Sequence, residues 1–325
     1  MRSPAVSVIM PVFNGGEFLK ESIDSILRQS FKDFEFIIIN DGSVDNSLSI
    51  IKSTRDKRVR VINHSRNLGI VASLNQGIKA AKGELIARMD ADDISLPNRL
   101  LIQVKFLKNN PDVGVCGTYA INTKSGKLIK DYTRNDQLKA KLFFNSPFVH
   151  SSVLFRKSLL IENNLSYLES YRYAEDYKLW SQLAQFTNFA VIPKVLLKYR
   201  DHAENSSKTF MIKQRFAVKK IHSDLFLEQR INLNLNEKEV FEKISIFSLN
   251  TNIEKVLSCL ENIESQLPNN KVSIISEISF RKIFYIIKLS KNYPNLLRLI
   301  SDQFTSGGIL RIISIRLINF FPFDY

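Results

Sequence analysis

The sequence predicts an α/β protein with a Rossmann-like, mostly parallel sheet flanked by helices and followed by a helical C-terminal region. Two observations favour this class. Short β-branched apolar runs alternate with segments of helical periodicity through the first part of the chain, which is typical of a parallel sheet covered on both faces. From residue 206 the alternation stops, and Lys, Ile, Leu and Phe dominate. We therefore expect a domain over residues 1–205 and a basic, helical region over residues 206–325.

The expected elements follow one another in a regular order. Strands are predicted over residues 6–12, 34–40, 59–62 and 85–87, and the apolar, β-branched run 6–12 is of the kind expected to be buried on both faces. Helices are expected from about Glu17, after Ser43, from Asn67 to Lys82 and from Pro97 to Leu107. Beyond Pro111 we predict strands over 113–118, 148–155 and 191–199, a turn over 123–127 and a helix that begins near Tyr173.

Charge and cysteine content limit the functional classes. The 325 residues carry a formal net charge of +14, which favours contact with a nucleotide, a nucleic acid or an anionic membrane surface. Cys116 and Cys259 lack CxxC partners, so we expect neither a zinc site nor a disulfide framework. Without a secretory leader or an apolar run of about 18 residues, we expect a cytoplasmic protein whose membrane contact is peripheral, on the inner face of the cytoplasmic membrane.

The acidic stretch at residues 87–93 organises the predicted site. If it is extended, Asp90 and Asp92 share one face and Asp93 points away. Two carboxylates on one face repel each other unless a cation lies between them, and hard oxygen ligands suit Mg²⁺ or Mn²⁺. The sequence therefore predicts a metal–diphosphate site, and the alternative is an acidic turn that caps the next helix.

Three other polar loops are expected at the same edge of the sheet. Residues 11–16, 40–43 and 66–69 each follow a predicted parallel strand, and ligands of such sheets bind outside the carboxyl ends of the strands. The first loop does not supply GxGxxG, and the sequence contains no GxxxxGK[ST]. A dinucleotide fold and P-loop chemistry are therefore excluded.

Five segments, taken in order, resemble the family 2 glycosyltransferases of bacterial surface polysaccharides. They are residues 6–14, 40–43 (Asn-Asp-Gly-Ser), 89–93 (Met-Asp-Ala-Asp-Asp), 97–100 (Pro-Asn-Arg-Leu) and the pair Glu175-Asp176. The resemblance covers roughly residues 5–205 and implies an inverting, nucleotide-sugar-dependent enzyme with the A-type glycosyltransferase fold. The remainder of the chain carries no signature of this family.

The resemblance assigns the donor side of the site. Pro11, Phe13 and Asp41 match positions that hold the base and ribose, and we add Arg66 and Asp90 to the nucleotide-binding residues. The alternatives are strand-end packing for Phe13 and a helix cap for Asp41.

Asp90 and Asp92 match the Asp-x-Asp motif for Mn²⁺ or Mg²⁺, with Asp92 as the direct ligand, while Asp93 caps the following helix. His202 reaches the metal or the diphosphate in this family, and the alternative is a surface-loop histidine. Arg200 could pair with a phosphate.

The resemblance also assigns the acceptor side. Asp176 matches the general base that takes a proton from the acceptor hydroxyl, and the alternative is an ordinary cap at a helix start. Glu175 and His150 are candidates for acceptor or phosphate contacts, together with Arg200. His64 and His222 are interpreted as structural.

These features predict transfer of one sugar, from a UDP-sugar, to a glycan or lipid-linked acceptor of O-antigen or capsule assembly. The Gln-x-x-Arg-Trp motif of processive members is missing, which argues against polymerisation. The basic, apolar segment 308–321 either contacts an anionic membrane or packs on the domain or on a second subunit.

Two other functions are alternatives to this one. A nucleotidyltransferase acting on sugar phosphates would need a Gly-rich, basic first loop. A nucleic-acid-binding protein would need a recognisable motif, and the basic residues are instead scattered, so we expect no nucleic-acid partner.

Overall fold

The structure is a computed structural model that describes residues 3–246, 248, 250–268 and 271–289. These residues form two units. The first comprises the chain up to Leu142 together with Ser146–His222, and the second comprises Phe143–Asn145 and the described residues from Ser223 onward. The segment 308–321, for which the sequence predicts a membrane or subunit contact, lies outside the described residues.

The first unit is built on a nine-stranded sheet with the order β3-β2-β1-β4-β8-β6-β9-β5, and β7 pairs with β6. The strands are β1 (Val6–Val12), β2 (Phe34–Asn40), β3 (Val59–Asn63), β4 (Leu85–Arg88), β5 (Ile94–Ser95), β6 (Val113–Asn122), β7 (Leu128–Ile129), β8 (Leu154–Arg156) and β9 (Asn188–Tyr199). The first four correspond to the four strands predicted from the sequence, although β3 is only partly buried, with Val61 39% exposed.

The register places the carboxyl ends of the parallel strands at one edge. β1 pairs in parallel with β2 and β4, with Val12 opposite Asn40 and Ile9 opposite Arg88. β2 pairs in parallel with β3, with Asn40 opposite Asn63. β8 is antiparallel to β4 and β6, and β5 is antiparallel to β9. The predicted mixed α/β class is therefore confirmed, with antiparallel pairs inserted into its second half.

Helices cover the sheet and form the C-terminal region. In the first unit they are α1 (Leu19–Leu27), α2 (Ser47–Ser53), α3 (Ile70–Ala80), α4 (Arg99–Asn109), α5 (Asn135–Leu142), α6 (Ser158–Glu162), α7 (Glu175–Leu183), α8 (Ser206–Thr209) and the first part of α9 (Met211–Gln229). The second unit contains α10 (Leu235–Ser245), α11 (Ile253–Gln266) and α12 (Val272–Leu289), which confirms a helical C-terminal region.

The strand predicted over residues 148–155 is wrong in its first half. His150–Ser152 forms a 3-10 turn, and β8 begins only at Leu154. The apolar pattern suggested a strand, but Ser152 turns its hydroxyl back to the Val149 carbonyl at 2.7 Å. Ser151 donates its hydroxyl to the Asp93 carboxylate, so polar side-chain contacts replace strand pairing here.

Each unit has its own apolar core. In the first, the fully buried strands β1 and β2 meet the apolar stripe of α1, which contributes Leu19, Ile23 and Ile26. In the second, Phe144 stacks on Phe241 with ring centroids 5.3 Å apart, within a cluster that includes residues of α10, α11 and α12. Among the described residues, no helix combines the length and apolar character needed to cross a bilayer.

Candidate active site

A cleft of about 1170 Å³ lies at the carboxyl edge of the sheet in the first unit. Its walls come from the four loops that the sequence places at this edge, from the start of α7 and from the chain that follows β9. The predicted site residues that line it are Pro11, Phe13, Asp41, Asp90, Asp92, His150, Glu175, Asp176 and His202.

The loop after β1 presents an aromatic side chain to the cleft. Phe13 is 49% exposed, so strand-end packing, the alternative considered for it, does not describe this residue. The loop is fixed from the side of α2, because Gly15 N–H donates to Ser47 Oγ at 2.8 Å and Gly16 N–H donates to Asp45 at 3.0 Å. A ligand base could therefore meet a pre-positioned aromatic face.

Asp41 joins two of the loops. Its buried carboxylate accepts the N–H groups of Leu68 and Gly69, each at 2.8 Å, and lies 2.6 Å from His64 Nδ1. Burial lowers the pKa of His64, but hydrogen bonds to Asp41 and Gln76 and the Asp41 charge raise it overall. His64, which the sequence left without a role, therefore supports the proposed nucleotide-binding carboxylate.

Three carboxylates cluster after β4. Asp90, Asp92 and Asp93 offer oxygen atoms that all lie within 4.8 Å of one another. Asp93 is buried, accepting the Ser151 hydroxyl on one oxygen and the Arg200 backbone N–H, at 2.9 Å, on the other. Its expected role as a helix cap is wrong, since the short strand β5 follows and the N-cap of α4 is Asn98.

Asp90 and Asp92 face the cleft with different partners. Asp90 forms an ion pair with Arg88, whereas Asp92 Oδ2 lies 3.0 Å from His202 Nε2. Asn205 Nδ2 lies 3.5 Å from the same Asp92 oxygen. Burial and the charge of Asp90 raise the pKa of Asp92, as expected for crowded carboxylates.

The donor set fits a divalent cation. The Asp90 and Asp92 carboxylates lie side by side at the cleft, with an imidazole within reach of one of them, and such oxygen and nitrogen ligands suit Mn²⁺ or Mg²⁺. Burial and the charges of Asp90 and Asp92 also raise the pKa of Asp93 to about 8. A bound cation would relieve this mutual repulsion.

Glu175 and Asp176 also line the cleft, from the first turn of α7. The N-cap residue of this helix is Ala174, whose side chain forms no capping hydrogen bond. The Glu175 carboxylate instead accepts the Tyr173 N–H at 2.8 Å. Burial and the Asp176 charge raise the pKa of Glu175 to about 7. Burial also raises the pKa of Asp176, and the Tyr177 N–H and the Arg88 charge offset part of that rise. A carboxylate with a raised pKa is a suitable general base.

A buried guanidinium interacts with both acidic groups, through an ion pair with Asp90 and through its charge, which lowers the pKa of Glu175 and Asp176. Arg88, at the end of β4, lines the cleft and is 3% exposed, and its Nε makes no hydrogen bond to any described residue. His150 Nε2 lies 2.8 Å from Tyr167 Oη nearby. Burial and the Arg88 charge hold the pKa of His150 well below its ordinary value, so His150 is neutral at pH 7.

Two of the predicted site residues, Arg66 and Arg200, do not line the cleft. Arg66 is exposed on the loop after β3, where Asn67 and Gly69 line the cleft instead. Arg200 is buried, pairs with Glu21 and lies 4.9 Å from the centre of the Phe18 ring. Nucleotide binding by Arg66 and phosphate pairing by Arg200 remain predictions.

Sequence reasoning missed several residues that shape the site. Arg88 sits in the acidic stretch 87–93, where only the carboxylates were given a role, and Asn205 follows the last predicted strand of the domain. A cation at the end of an apolar strand, two residues before an Asp-x-Asp motif, is the signal that could have identified Arg88. Nothing local marks Ser151 or Asn205, because their partners Asp93 and Asp92 are 58 and 113 residues away.

Comparison with known proteins identifies the family. The profile of Glycosyl transferase family 2 matches residues 7–163. An uncharacterized glycosyltransferase of Haemophilus influenzae is 32% identical over 296 residues, covering 86% of this chain and 91% of the relative. One from Methanocaldococcus jannaschii is 37% identical over 210 residues, covering 62% of this chain and 72% of the relative.

Solved structures share the fold. Staphylococcus aureus TarS 1–349 in complex with UDP-GlcNAc superimposes with a TM-score of 0.59 at 18% identity, covering 88% of this chain and 91% of that one. The mannosyltransferase PcManGT from Pyrobaculum calidifontis, in complex with GDP-Man and Mn²⁺, gives a TM-score of 0.56 at 16% identity, with 88% and 87% covered. The predicted A-type glycosyltransferase fold is confirmed, and the chain belongs to glycosyltransferase family 2.

Proposed function

We propose that this protein is an inverting, metal-dependent glycosyltransferase that moves one sugar from a UDP-sugar to a hydroxyl of a lipid-linked or glycan acceptor. The observation that carries the proposal is the composition of one cleft, which the carboxylates of Asp90, Asp92 and Asp176 all line. An inverting transfer needs a phosphate-binding side and a base side facing the same sugar.

The donor side is supported by groups suited to a nucleoside diphosphate. The half-exposed ring of Phe13 offers a face to the base, and the Asp41 carboxylate holds the loop that contains Asn67 and Gly69. Asp90, Asp92 and His202 would hold Mn²⁺ or Mg²⁺, which would neutralise charge on the departing nucleoside diphosphate. The two similar structures, one with UDP-GlcNAc and one with GDP-Man and Mn²⁺, support a donor of this class.

The acceptor side supplies the proton transfer. The Asp176 carboxylate takes the proton of the acceptor hydroxyl while that oxygen attacks the anomeric carbon. The bond from the anomeric carbon to the diphosphate oxygen breaks on the opposite face, so configuration inverts and the nucleoside diphosphate leaves with the bonding electrons. The raised pKa of Asp176 makes it a stronger base than an exposed aspartate.

The acceptor and pathway are proposed from charge. A formal net charge of +14 suits an anionic partner, and a lipid-linked acceptor at an anionic membrane provides one. We place the protein at the inner face of the cytoplasmic membrane, in O-antigen or capsule assembly.

The test is a screen of UDP-, GDP- and dTDP-sugars for Mn²⁺-dependent hydrolysis and transfer. We expect UDP-sugars to be cleaved and chelation to stop the reaction. Asp176→Asn should bind UDP in calorimetry as the wild type does, yet lose about 10²–10⁴-fold in kcat/KM for transfer. Normal transfer by this variant would exclude Asp176 as the base.

Asp136→Asn is the matched control, because Asp136 also lies in the first turn of a helix, α5, but pairs with Arg134 outside the cleft. It should keep full activity. Equal losses in both variants would point to a general effect of helix-start aspartates on folding.

A further inference from the structure

The first part of α9 carries an unusual outer face. Ile212, Arg215, Phe216 and Lys219 are spaced i, i+3, i+4 and i+7, so they share one side of the helix. Ile212 is 68% exposed and Phe216 is 69% exposed. The opposite side carries the buried residues Ala217 and Ile221. We call the four outward residues, together with the half-exposed Met211, the outer face of α9.

Its surroundings are strongly basic. Residues 208–220 include Lys208, Lys213, Arg215, Lys219 and Lys220 and contain no acidic residue. Lys213 lies 5.7 Å from the ring centre of Tyr173, and Lys220 lies 4.3 Å from that of Tyr171, so two cations spaced i and i+7 border the outer face along one side. Exposed large apolar side chains bordered by cations are the profile of a helix that lies in a membrane interface.

The same segment borders the cleft. Phe210 and Gln214 line it together with Asp176, and Gln214 Nε2 donates to the Tyr173 carbonyl at 3.1 Å, two residues before the Glu175-Asp176 pair. Gln214 and Phe216 are two positions apart on α9 and therefore lie on opposite sides of the helix. The outer face is thus separated from the cleft by the width of one helix, about 10 Å.

We propose that the outer face of α9 docks this enzyme on an anionic bilayer, with Ile212 and Phe216 inserted among the headgroups and the cations on anionic lipid. Two copies joined through this face would bring like-charged segments together, which disfavours a self-interface. A bound nucleic acid would place its phosphates against Ile212 and Phe216, and these two apolar side chains would gain no apolar contacts. A bilayer satisfies both the apolar and the basic part of the face.

The inference deepens the proposed function, on which it rests for the lipid-linked acceptor. Flotation of the full chain with vesicles of phosphatidylcholine alone, or with about one third phosphatidylglycerol, tests it. We expect binding to the anionic vesicles that weakens with added salt, and little binding to the neutral ones. Ile212→Ser/Phe216→Ser should lower the partition coefficient roughly tenfold, because two apolar side chains no longer enter the interface.

Ile161→Ser/Phe186→Ser is the matched control, since it removes an isoleucine and a phenylalanine that are 68% and 51% exposed elsewhere on the first unit. It should bind vesicles as the wild type does. Unchanged binding by Ile212→Ser/Phe216→Ser, or a wild-type dimer that this variant dissociates in light scattering, would overturn the proposal. Both double variants should keep wild-type UDP binding and donor hydrolysis, so a failure of the proposed chemistry would appear in those assays and not in flotation.

Discussion

Replacing Arg88 with methionine removes a buried cation and leaves a side chain of similar length. The Arg88 charge lowers the pKa of both Glu175 and Asp176 against the rise that burial causes. At an effective dielectric constant of about 20, a unit charge some 10 Å away changes an ionisation free energy by about 1.5 kcal/mol, or roughly one pKa unit. The pKa of Asp176 should therefore rise further in Arg88→Met, and the acid limb of the kcat/KM profile should move about one unit to higher pH.

The same change should destabilise the fold by about 2 kcal/mol, less than the 3–5 kcal/mol typical of a fully buried pair, because Asp90 keeps 32% of its side chain exposed. The assay is Mn²⁺-saturated donor hydrolysis between about pH 5 and pH 9, with folding checked by urea denaturation. Arg88→Lys, which keeps the charge, should restore most of the profile. Arg58→Met is the control, because it removes a cation that is paired with Asp56 outside the cleft. It should lower the stability of the fold but leave the acid limb of the kcat/KM profile unchanged. An unshifted limb in folded Arg88→Met would refute the electrostatic argument.

Three further predictions concern Glu175, a pair of glycines and Asp92. The pKa of Glu175 is about 7 in the folded protein, against an ordinary value of 4.5. Because the folded state binds this proton more tightly than the unfolded state, the free energy of unfolding of the wild type should fall as the pH rises between these two values. Glu175→Gln should remove at most about 3 kcal/mol of that loss, measured by denaturation at pH 5 and pH 8. Gly42→Ala should lower the free energy of unfolding by about 2 kcal/mol more than Gly126→Ala does. Both glycines have a positive φ, 70° and 67°, but of the two only Gly42 would place a Cβ against backbone, 2.4 Å from the Arg66 carbonyl carbon. Equal urea midpoints of the two variants would contradict this prediction. Mn²⁺ should raise the melting temperature of the wild type by several degrees and that of Asp92→Asn much less, and equal shifts in thermal melts would show that Asp92 is not a ligand.

The parallel half of the fold could be predicted because its signals are local. β1 and β2 are mostly apolar over seven residues each, with Ser7, Glu35 and Asn40 as the polar exceptions, and the turns that follow them carry the polar residues that reach the cleft. The residue pattern alone predicted a metal site at Asp90 and Asp92, whereas the approach of His202 to it came from the family resemblance, because no local pattern links residues that are 110 positions apart.

The second half of the sheet was less predictable, for a physical reason. The segment around His150 has the apolar alternation of a strand, but its two serines form hydrogen bonds with Asp93 and Val149 that propensity does not encode. Local pattern reports how a segment prefers to fold alone, whereas this turn is fixed by a carboxylate contributed from another strand end.

The contacts of Asp93 explain how a site with two cleft-facing acids is assembled from distant segments. Its carboxylate accepts the backbone N–H of Arg200, 107 residues away, and the pairing of Ile94 with Lys198 between β5 and β9 fixes the same two segments beside each other. The chain leaving β9 is thereby held so that His202 and Asn205 reach Asp92. Asp93 thus stabilises the loops through its hydrogen bonds, whereas Asp90 and Asp92 face the cleft. A third acid is needed for this role because the carboxylates of the other two must be left for a ligand.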